Sequence, residues 1–550
     1  MFGSRQIAIA SIGLRWWKAL PLAAALFIAA APALAAPHAS QEEVTRDSQK
    51  TVTLGAGQSV SVEHRFGGVH VHGESGRDVR INVTIRVQAG SHSESQDFAD
   101  KIQIEVEQTG EGVRVRTVYP DEKRRWFSTG GRTSYSVNYD IAMPADAALR
   151  VRNNFGSIDA TGIHGANDLE DSHGSLTVHD AGPARLNNSF GSVELAGAGG
   201  NVTLSDSNGS VNVSDVKGTL ELHNRFGNIT ARNIQGAATI IGGNGGLELS
   251  DSGAAILTNS FGGVTARNIR GDLSVHDNNG NVEISTVAGG VDINNSFGSV
   301  TFSDVKGRVN LTTNNGRVKG SAPGGGSVTI RDSFGNIELD TIAGALDAET
   351  SNGRIVLRDA RGSVTLKTSF GAIEATNIPK GIRAVSGNGA INLTDVGGDV
   401  YAKTSFGSIL VERAGGNLTA ENTNGSVTAR GVKGDVSVDT SFAGVTLESI
   451  GGKIRVDNQN GGISVVASRP SSGCRDISLK TSFSSIRVAI PEGVGYNVSA
   501  RTSFGRVNTE LPITATGSMG GDSLSGTIGA GGCQLQLSDS NGSIEIAKSP

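Results

Sequence analysis

Two histidines stand two residues apart in the segment GVHVHGE, a spacing that could serve metal chemistry. In a strand, His70 and His72 would point to the same face, where two imidazoles can bind an ion such as zinc. No third ligand adjoins them in the sequence, so only the fold could bring His64 or Glu74 to the pair. Strand histidines without a metal are the commoner case, and we predict no metal site.

Acidic residues could serve catalysis, because polysaccharide lyases and hydrolases built on parallel β-helices use carboxylates that converge on one groove. Here Asp and Glu are spread along the chain in segments such as SVEL, NIEL and TLES. No G-x-S-x-G motif is present to carry a nucleophilic serine. We therefore predict that the protein is not an enzyme and needs no cofactor.

Cys474 and Cys533 are the two cysteines of the sequence, and each follows a glycine. An oxidising compartment would allow them to form a disulfide, which is the interpretation we favour over two free thiols. A metal site on this pair would need further ligands, and no histidine follows His276. We predict a disulfide rather than a metal centre.

The elements that position these residues follow a long repeat. Phe-Gly or Phe-Ala recurs every 35 to 37 residues, with Asn-Gly about midway between. With 77 glycines among 550 residues, this period is typical of a solenoid, in which each unit buries its apolar face against its neighbours. The repeat positions are Phe155, Phe190, Phe226, Phe261, Phe297, Phe334, Phe370, Phe406 and Phe442, and Asn208, Asn244, Asn279, Asn315, Asn352, Asn388, Asn424 and Asn460.

Each 36-residue unit divides again into two coils of about 18 residues. In GSVNVSDVKGTLELHNRFG, the alternation Val211-Asn212-Val213 and Leu220-Glu221-Leu222 indicates two short strands with one face inside, separated by corners with glycine. We predict an all-β parallel β-solenoid with about 18 residues per coil. A right-handed coil is expected, because crossovers between parallel strands have that hand.

Calcium-binding β-rolls also pair nine-residue halves into coils of 18, with the repeat G-G-x-G-x-D-x-U-x. The nearest match, GGNGGLELS from Gly242, places Leu247 where the ligand aspartate belongs. We predict no repetitive calcium site.

The alternation of phenylalanine and asparagine suggests one column of turns. A ring in every coil would crowd at strand spacing, whereas an asparagine between rings leaves room and tolerates a left-handed turn before glycine. The alternative is a coil of 36 residues with the two residue types on opposite sides. We expect the rings to serve packing, so that Phe297→Ala, if that ring is buried, costs about 3–5 kcal/mol.

The ends of the chain depart from the repeat. We predict an N-terminal β cap over residues 51–150, the regular solenoid over 151–466, and a C-terminal solenoid end and cap over 467–550. Phe483 and Phe504 lie in the last segment at irregular spacing. Caps of this kind prevent edge-to-edge pairing of the exposed coils.

The N-terminus has the pattern of a signal peptide. Three basic residues precede an apolar run and the small-x-small pattern Ala33-Leu34-Ala35. We predict a signal peptide over residues 1–35, a flexible linker over 36–50, and export to the periplasm or cell surface without a later membrane span. The formal net charge of −5 is spread along the chain and disfavours nucleic-acid binding.

The segments SFGSV, NNGNVEI and TSNGRIVL, with DVKG or NIRG between them, resemble the bacterial putative-adhesin family, a domain of unknown function. The resemblance covers roughly residues 50–550 and implies an exported parallel β-solenoid, with no catalytic residues to carry over. We expect a non-enzymatic envelope or surface protein that binds a glycan or an envelope protein. The alternatives are a periplasmic scaffold or envelope-stress module and, less favoured, a polysaccharide-active enzyme; the oligomeric state is not predicted.

Overall fold

The computed structural model describes residues 43–120, 133–469, 473–516 and 520–549. The predicted signal peptide, residues 1–35, and the first part of the predicted linker lie outside these ranges. Within the described ranges, no helix is long and apolar enough to cross a membrane.

The chain forms a parallel β-solenoid of about 18 residues per coil, as the sequence predicts. A typical coil consists of a strand over Val211–Val216 and a strand over Leu220–Phe226, joined by a short corner. In both strands the alternating aliphatic residues are buried. Each strand pairs in parallel with the equivalent strands of the coils before and after it. Coil stacking therefore buries the apolar positions, at about 1.5–3 kcal/mol for each aliphatic side chain.

Two long sheets result, one on each side of the rod. In chain order, the N-terminal elements are β1 (Glu43–Thr53), β2 (Ser59–Glu63), β3 (Val69–Glu74), β4 (Asp78–Gln88), α1 (His92–Lys101), β5 (Gln103–Thr109), β6 (Gly112–Val118), β7 (Ser134–Pro144), β8 (Ala148–Phe155) and β9 (Ile158–Thr161). From β8 to β45, even-numbered strands pair in one sheet, termed sheet two, and odd-numbered strands pair in the other, termed sheet one.

The regular coils run from β10 to β43. Their strands are β10 (Asn167–His173), β11 (Leu176–Ala181), β12 (Ala184–Phe190), β13 (Val193–Ala198), β14 (Val202–Asn208), β15 (Val211–Val216), β16 (Leu220–Phe226), β17 (Ile229–Ile234), β18 (Ala238–Asn244), β19 (Leu247–Ser252), β20 (Ala255–Phe261), β21 (Val264–Ile269), β22 (Leu273–Asn279), β23 (Val282–Val287), β24 (Val291–Phe297), β25 (Val300–Val305), β26 (Val309–Asn315), β27 (Val318–Ala322), β28 (Val328–Asp332), β29 (Ile337–Ile342), β30 (Leu346–Thr350), β31 (Ile355–Ala360), β32 (Val364–Thr368), β33 (Ile373–Ile378), β34 (Ile382–Ser386), β35 (Ile391–Val396), β36 (Val400–Thr404), β37 (Ile409–Ala414), β38 (Leu418–Asn422), β39 (Val427–Val432), β40 (Val436–Thr440), β41 (Val445–Glu448), β42 (Ile454–Asn458) and β43 (Ile463–Val466).

At the N-terminal end, the stacking begins earlier than the predicted boundary at residue 151. Strands β2 and β3 form a coil that pairs in parallel with β8 and β9 on one side and with β6 and β7 on the other. The coil formed by β2 and β3 therefore lies between two coils that come later in the chain. The solenoid extends into the segment predicted to be a separate cap.

Antiparallel strands cover the first coil. Strand β4 pairs with β7, β1 pairs with β4, and β5 pairs with β6. The linker prediction for 36–50 is wrong from residue 43 onward, because β1 continues the sheet edge along β4. The all-β prediction for the cap also missed α1, which begins at its N-cap Ser91.

At the C-terminal end, the remaining strands are β44 (Ile477–Lys480), β45 (Ile486–Ile490), β46 (Tyr496–Arg501), β47 (Val507–Thr509), β48 (Ile513–Ala515), β49 (Ser523–Ile528), β50 (Cys533–Ser538) and β51 (Ile544–Lys548). Strands β50 and β51 insert as a coil between the coil of β44 and β45 and the coil of β46 and β47. Strands β49 and β48 then cover β46 in antiparallel pairing. A disulfide joins Cys474 to Cys533 and holds the inserted coil.

Left-handed backbone conformations occupy a different corner from the one expected. None of the repeat asparagines before glycine has a positive φ, so that part of the turn hypothesis is wrong. The left-handed residues lie near the ends of sheet-one strands, where Asp215 has a φ of 60° and Asn233 a φ of 54°. Beside the first five rings, from Phe155 to Phe297, it is the following glycine that has a positive φ, as at Gly298 with a φ of 120°.

Candidate binding surface

The phenylalanines and asparagines of the repeat stack in a single column at the ends of the sheet-two strands. Phe297 is in register with Asn279 of the preceding coil and with Asn315 of the next coil. The same alternation relates Phe226 to Asn208. This register confirms one column with a coil of 18 residues and excludes a coil of 36 with the two residue types on opposite sides.

The column continues through the irregular C-terminal end. Backbone hydrogen bonds join Asn541 to Ser482 and Phe504 to Ser540, so the turn of β50 lies between those of β44 and β46. The order in space is therefore Phe483, Asn541, Phe504, although it is scrambled in the sequence. The spacing of Phe-Gly along the chain could not reveal this, but the SNG motif at Asn541 is the signal that marks a repeat turn.

The rings of this column are exposed, which corrects the expectation that they serve packing. Phe297 is 53% exposed, whereas the side chain of Phe302, in the following strand, is 1% exposed and lies in the core. We define the phenylalanine column as the exposed rings of Phe155, Phe190, Phe226, Phe261, Phe297, Phe334, Phe370, Phe406, Phe442, Phe483 and Phe504.

The exposure follows from a corner that interrupts the strand alternation. In β24, Val291, Ile293 and Asn295 point inward, so continued alternation would also bury residue 297. The Asn295 Nδ2 donates to the carbonyl of Gly298 at 3.0 Å and to that of Gly280 in the preceding coil at 3.4 Å. These bonds fix the corner, and the ring of Phe297 is left outside it.

Beneath the column runs a second, buried column of polar side chains, each two residues before a repeat turn; we call it the polar ladder. Many of its amides and hydroxyls donate to buried carbonyls of the turns, as Thr368 Oγ1 does to that of Gly353 at 3.0 Å. Its members are Asn153, Asp171, Asn188, Asp206, Asn224, Asn259, Asp277, Asn295, Thr313, Asp332, Thr350, Thr368, Ser386, Thr404, Asn422, Thr440, Asn458, Thr481, Thr502 and Asp539.

Several aspartates of the polar ladder have perturbed acidity. Burial raises the pKa of Asp171 to about 7 and the pKa values of Asp206 and Asp277 to about 6. Hydrogen bonds from the backbone oppose the shift in each case but do not cancel it. Asparagines hold the neighbouring places in the ladder, so the position accepts a neutral amide of the same shape.

Near the N-terminal end the rings stack on consecutive coils. Phe66 lies over Phe155 with ring centroids 5.3 Å apart, and His173 lies between Phe155 and Phe190 at 4.8 and 4.9 Å. Rings therefore fit at strand spacing, and crowding is not the reason for the alternation elsewhere. His173 takes a place that asparagine holds in later coils and was missed because the sequence there reads SHG rather than SNG.

His64 lies inside the N-terminal coils and does not approach His70 and His72. It is 7% exposed, and its Nδ1 is 3.1 Å from the Thr117 hydroxyl. Burial lowers the pKa of His64 to about 4, so the imidazole is neutral at physiological pH. The suggestion that His64 supplies a metal ligand to the pair is therefore wrong.

The phenylalanine column has the size of a macromolecular binding surface. Rings on alternate coils are separated by two strand spacings, or about 9.6 Å. At roughly 100 Å² of exposed surface per half-exposed ring, eleven rings present on the order of 1,100 Å². Asparagines separate the rings, so this area is spread along the rod, and it compares with the roughly 800 Å² per partner that a stable interface buries.

Comparisons with known proteins identify no family for this chain. A scan against protein-family models finds no match, and a search of curated proteins finds none either. Among solved structures, the chain is similar to a protein described as "a putative cell adhesion protein from Clostridium sporogenes ATCC 15579". The identity is 10% and the TM-score 0.16, over 46% of this chain and 100% of that chain, and a likeness of this degree carries no argument about function.

Proposed function

We propose that this protein is a non-enzymatic, exported, adhesin-like surface protein that binds an extended polysaccharide along the phenylalanine column. The observation that carries the proposal is the exposure of one ring on every second coil along nearly the whole rod. Burying apolar rings would stabilise the fold, so their position outside the corner calls for another role.

The chemistry of the column suits sugar rings. An aromatic face packs against the apolar C–H face of a pyranose, and amide side chains exchange hydrogen bonds with hydroxyl groups. Here amides and rings alternate along one line, as at Phe297 and Asn315. The ring repeat of about 9.6 Å is comparable to the length of two sugar residues in an extended β-linked chain.

Repetition supports adhesion through many weak contacts. A sugar stacked on one half-exposed ring binds weakly. When a polysaccharide contacts several rings, each contact after the first is intramolecular and adds to the affinity. Avidity then depends on the number of rings engaged. This arrangement needs no catalytic residue.

The first test is retention on insoluble polysaccharides. We expect the mature chain to bind cellulose or chitin, and the triple variant Phe297→Ala, Phe334→Ala, Phe370→Ala to lose at least about tenfold in affinity, because one ring costs little and three interrupt the avidity. The matched control is Glu283→Gln with Thr301→Ala, at exposed positions of sheet one, and it should bind like the parent.

Two results would overturn the proposal. One is no retention of the parent chain on cellulose, chitin or soluble β-linked glucans in affinity electrophoresis. The other is a parent chain that is dimeric by light scattering while the triple variant is monomeric, since the column would then join two copies of this chain rather than bind a glycan.

Location is tested separately by protease treatment of intact cells that carry the tagged protein. Digestion from outside agrees with a surface adhesin. Protection until the outer membrane is opened would overturn the surface part of the proposal and favour the periplasmic scaffold or envelope-stress alternative.

A further inference from the structure

Three adjacent strands of the N-terminal coils bring titratable side chains together on the outer face of sheet one. Strand β3 lies between β7 and β9, and His70 is in register with Asp140 on one side and Asp159 on the other. His72 and Glu74 follow on β3 at alternate positions. Asp140 thus lies beside the two histidines in the fold, although it is far from them in the sequence.

One nitrogen of each imidazole lies beside a carboxylate that can orient the ring. His70 Nδ1 lies 3.4 Å from Asp159, and His72 Nε2 lies 3.2 Å from Glu74. His72 Nδ1, the other nitrogen of that ring, lies 3.6 Å from Asp140. Metal-binding histidines commonly have their second ring nitrogen hydrogen-bonded to a carboxylate, which fixes the tautomer and the ring orientation.

The possible ligand atoms are also close enough together to reach one ion after a small movement. One ligand atom each from His70, His72 and Asp140 can be chosen so that all lie within 4.8 Å of one another. A zinc ion about 2.0–2.2 Å from each ligand needs separations of about 3.4 Å, so the side chains must move together by about 1 Å. All three side chains are between one third and about one half exposed, which leaves room for that movement.

We propose that His70, His72 and Asp140 bind a divalent transition-metal ion at the N-terminal end of the rod, with Asp159 and Glu74 orienting the two imidazoles. Two nitrogen ligands and one carboxylate favour Zn²⁺, Cu²⁺ or Ni²⁺ over Ca²⁺ and Mg²⁺, which prefer oxygen ligands. The carboxylates of Asp140, Asp159 and Glu74, of which Glu74 pairs with Arg80, favour a cation at this site. A fourth position faces solvent and is open to water or to a ligand from a partner.

The test is calorimetric titration of the full mature chain with ZnCl₂, and with CuSO₄ followed by electron paramagnetic resonance. We expect one Zn²⁺ per chain, a Cu²⁺ spectrum showing two nitrogen ligands, and at least a hundredfold weaker binding in His70→Ala and His72→Ala. Asp159→Asn should weaken Zn²⁺ binding about 10–100-fold, the effect expected of an outer-shell carboxylate.

The matched control is His164→Ala, which removes another exposed histidine paired with a carboxylate, at 3.0 Å from Asp180. It should leave Zn²⁺ affinity unchanged. The proposal is overturned if the parent chain binds no Zn²⁺ below about millimolar concentration, or if His70→Ala and His72→Ala fold normally by circular dichroism and bind Zn²⁺ as well as the parent. None of these readouts depends on the phenylalanine column.

Discussion

Two phenylalanines of one coil should respond very differently to truncation. Phe297 is about half exposed, so Phe297→Ala removes about half the value of burying a phenylalanine, or about 1 kcal/mol. Phe302 lies in the core, where its ring occupies the space beside Gly320, and Phe302→Ala should cost about 3–5 kcal/mol. Both changes delete the same atoms, so the difference between their losses of unfolding free energy reports the difference in burial of the two rings.

Hydrogen exchange measured by mass spectrometry is the suitable assay for this pair, because the stability of a solenoid depends on local coil contacts and exchange locates the change in the coil that carries it. In peptides covering residues 290–320, exchange should accelerate about fivefold for Phe297→Ala and on the order of 10²–10³-fold for Phe302→Ala. Equal acceleration by the two variants would refute the conclusion that the column rings lie outside the core.

Three further changes test the interior and the C-terminal end. Because the native pKa of Asp277 is raised from 3.8 to about 6, its contribution to stability is present below about pH 4 and is lost as the pH rises through about 6. Asp277→Asn should therefore raise the unfolding temperature at pH 7.5 but not at pH 4, and an identical profile in both proteins would contradict this. Gly320→Ala places a Cβ 2.0 Å from the Phe302 ring and should cost about 1–3 kcal/mol. In denaturant titrations, adding Phe302→Ala to the same chain should cancel part of that cost. Strictly additive losses of unfolding free energy in the double variant would count against a contact between the new methyl group and the Phe302 ring. Reduction of the disulfide between Cys474 and Cys533, 59 residues apart, should remove about 4 kcal/mol of loop-closure stabilisation. Protection from hydrogen exchange should fall in β50 and β51 and not in the middle coils. A uniform loss of protection along the rod would contradict a local role for the disulfide.

The regular part of the fold could be predicted from the sequence because each coil repeats the same local pattern. Alternation such as Leu220-Glu221-Leu222 shows which side chains of a strand point into the core, and the period of about 18 residues gives the length of one coil. The ends could not be predicted, since the insertion of β50 and β51 depends on pairing between strands distant in the chain. Handedness stays a prediction.

The candidate sites show a similar division. The single column of Phe297 and Asn315 was one of two arrangements that the spacing allowed. Ring exposure was not predicted, because strand alternation assigns residue 297 to the interior and only the bonds of Asn295 reveal the corner. For the metal candidate, the sequence singled out His70 and His72 but not Asp140. Asp140 is far from His72 in the sequence and becomes its neighbour through the register of two parallel strands.

The interleaved coils constrain the order in which the rod can form. Coils from β8 to β45 can add one after another as the chain emerges, each onto a finished template. Strands β46 and β47 cannot dock in their final place until β50 and β51, later in the chain, have filled the rung beneath them. The C-terminal end can therefore complete its pairing only after β50 and β51 have been synthesised. A chain that ends after β47 would expose an unpaired coil edge, a surface that pairs with other strands and promotes aggregation.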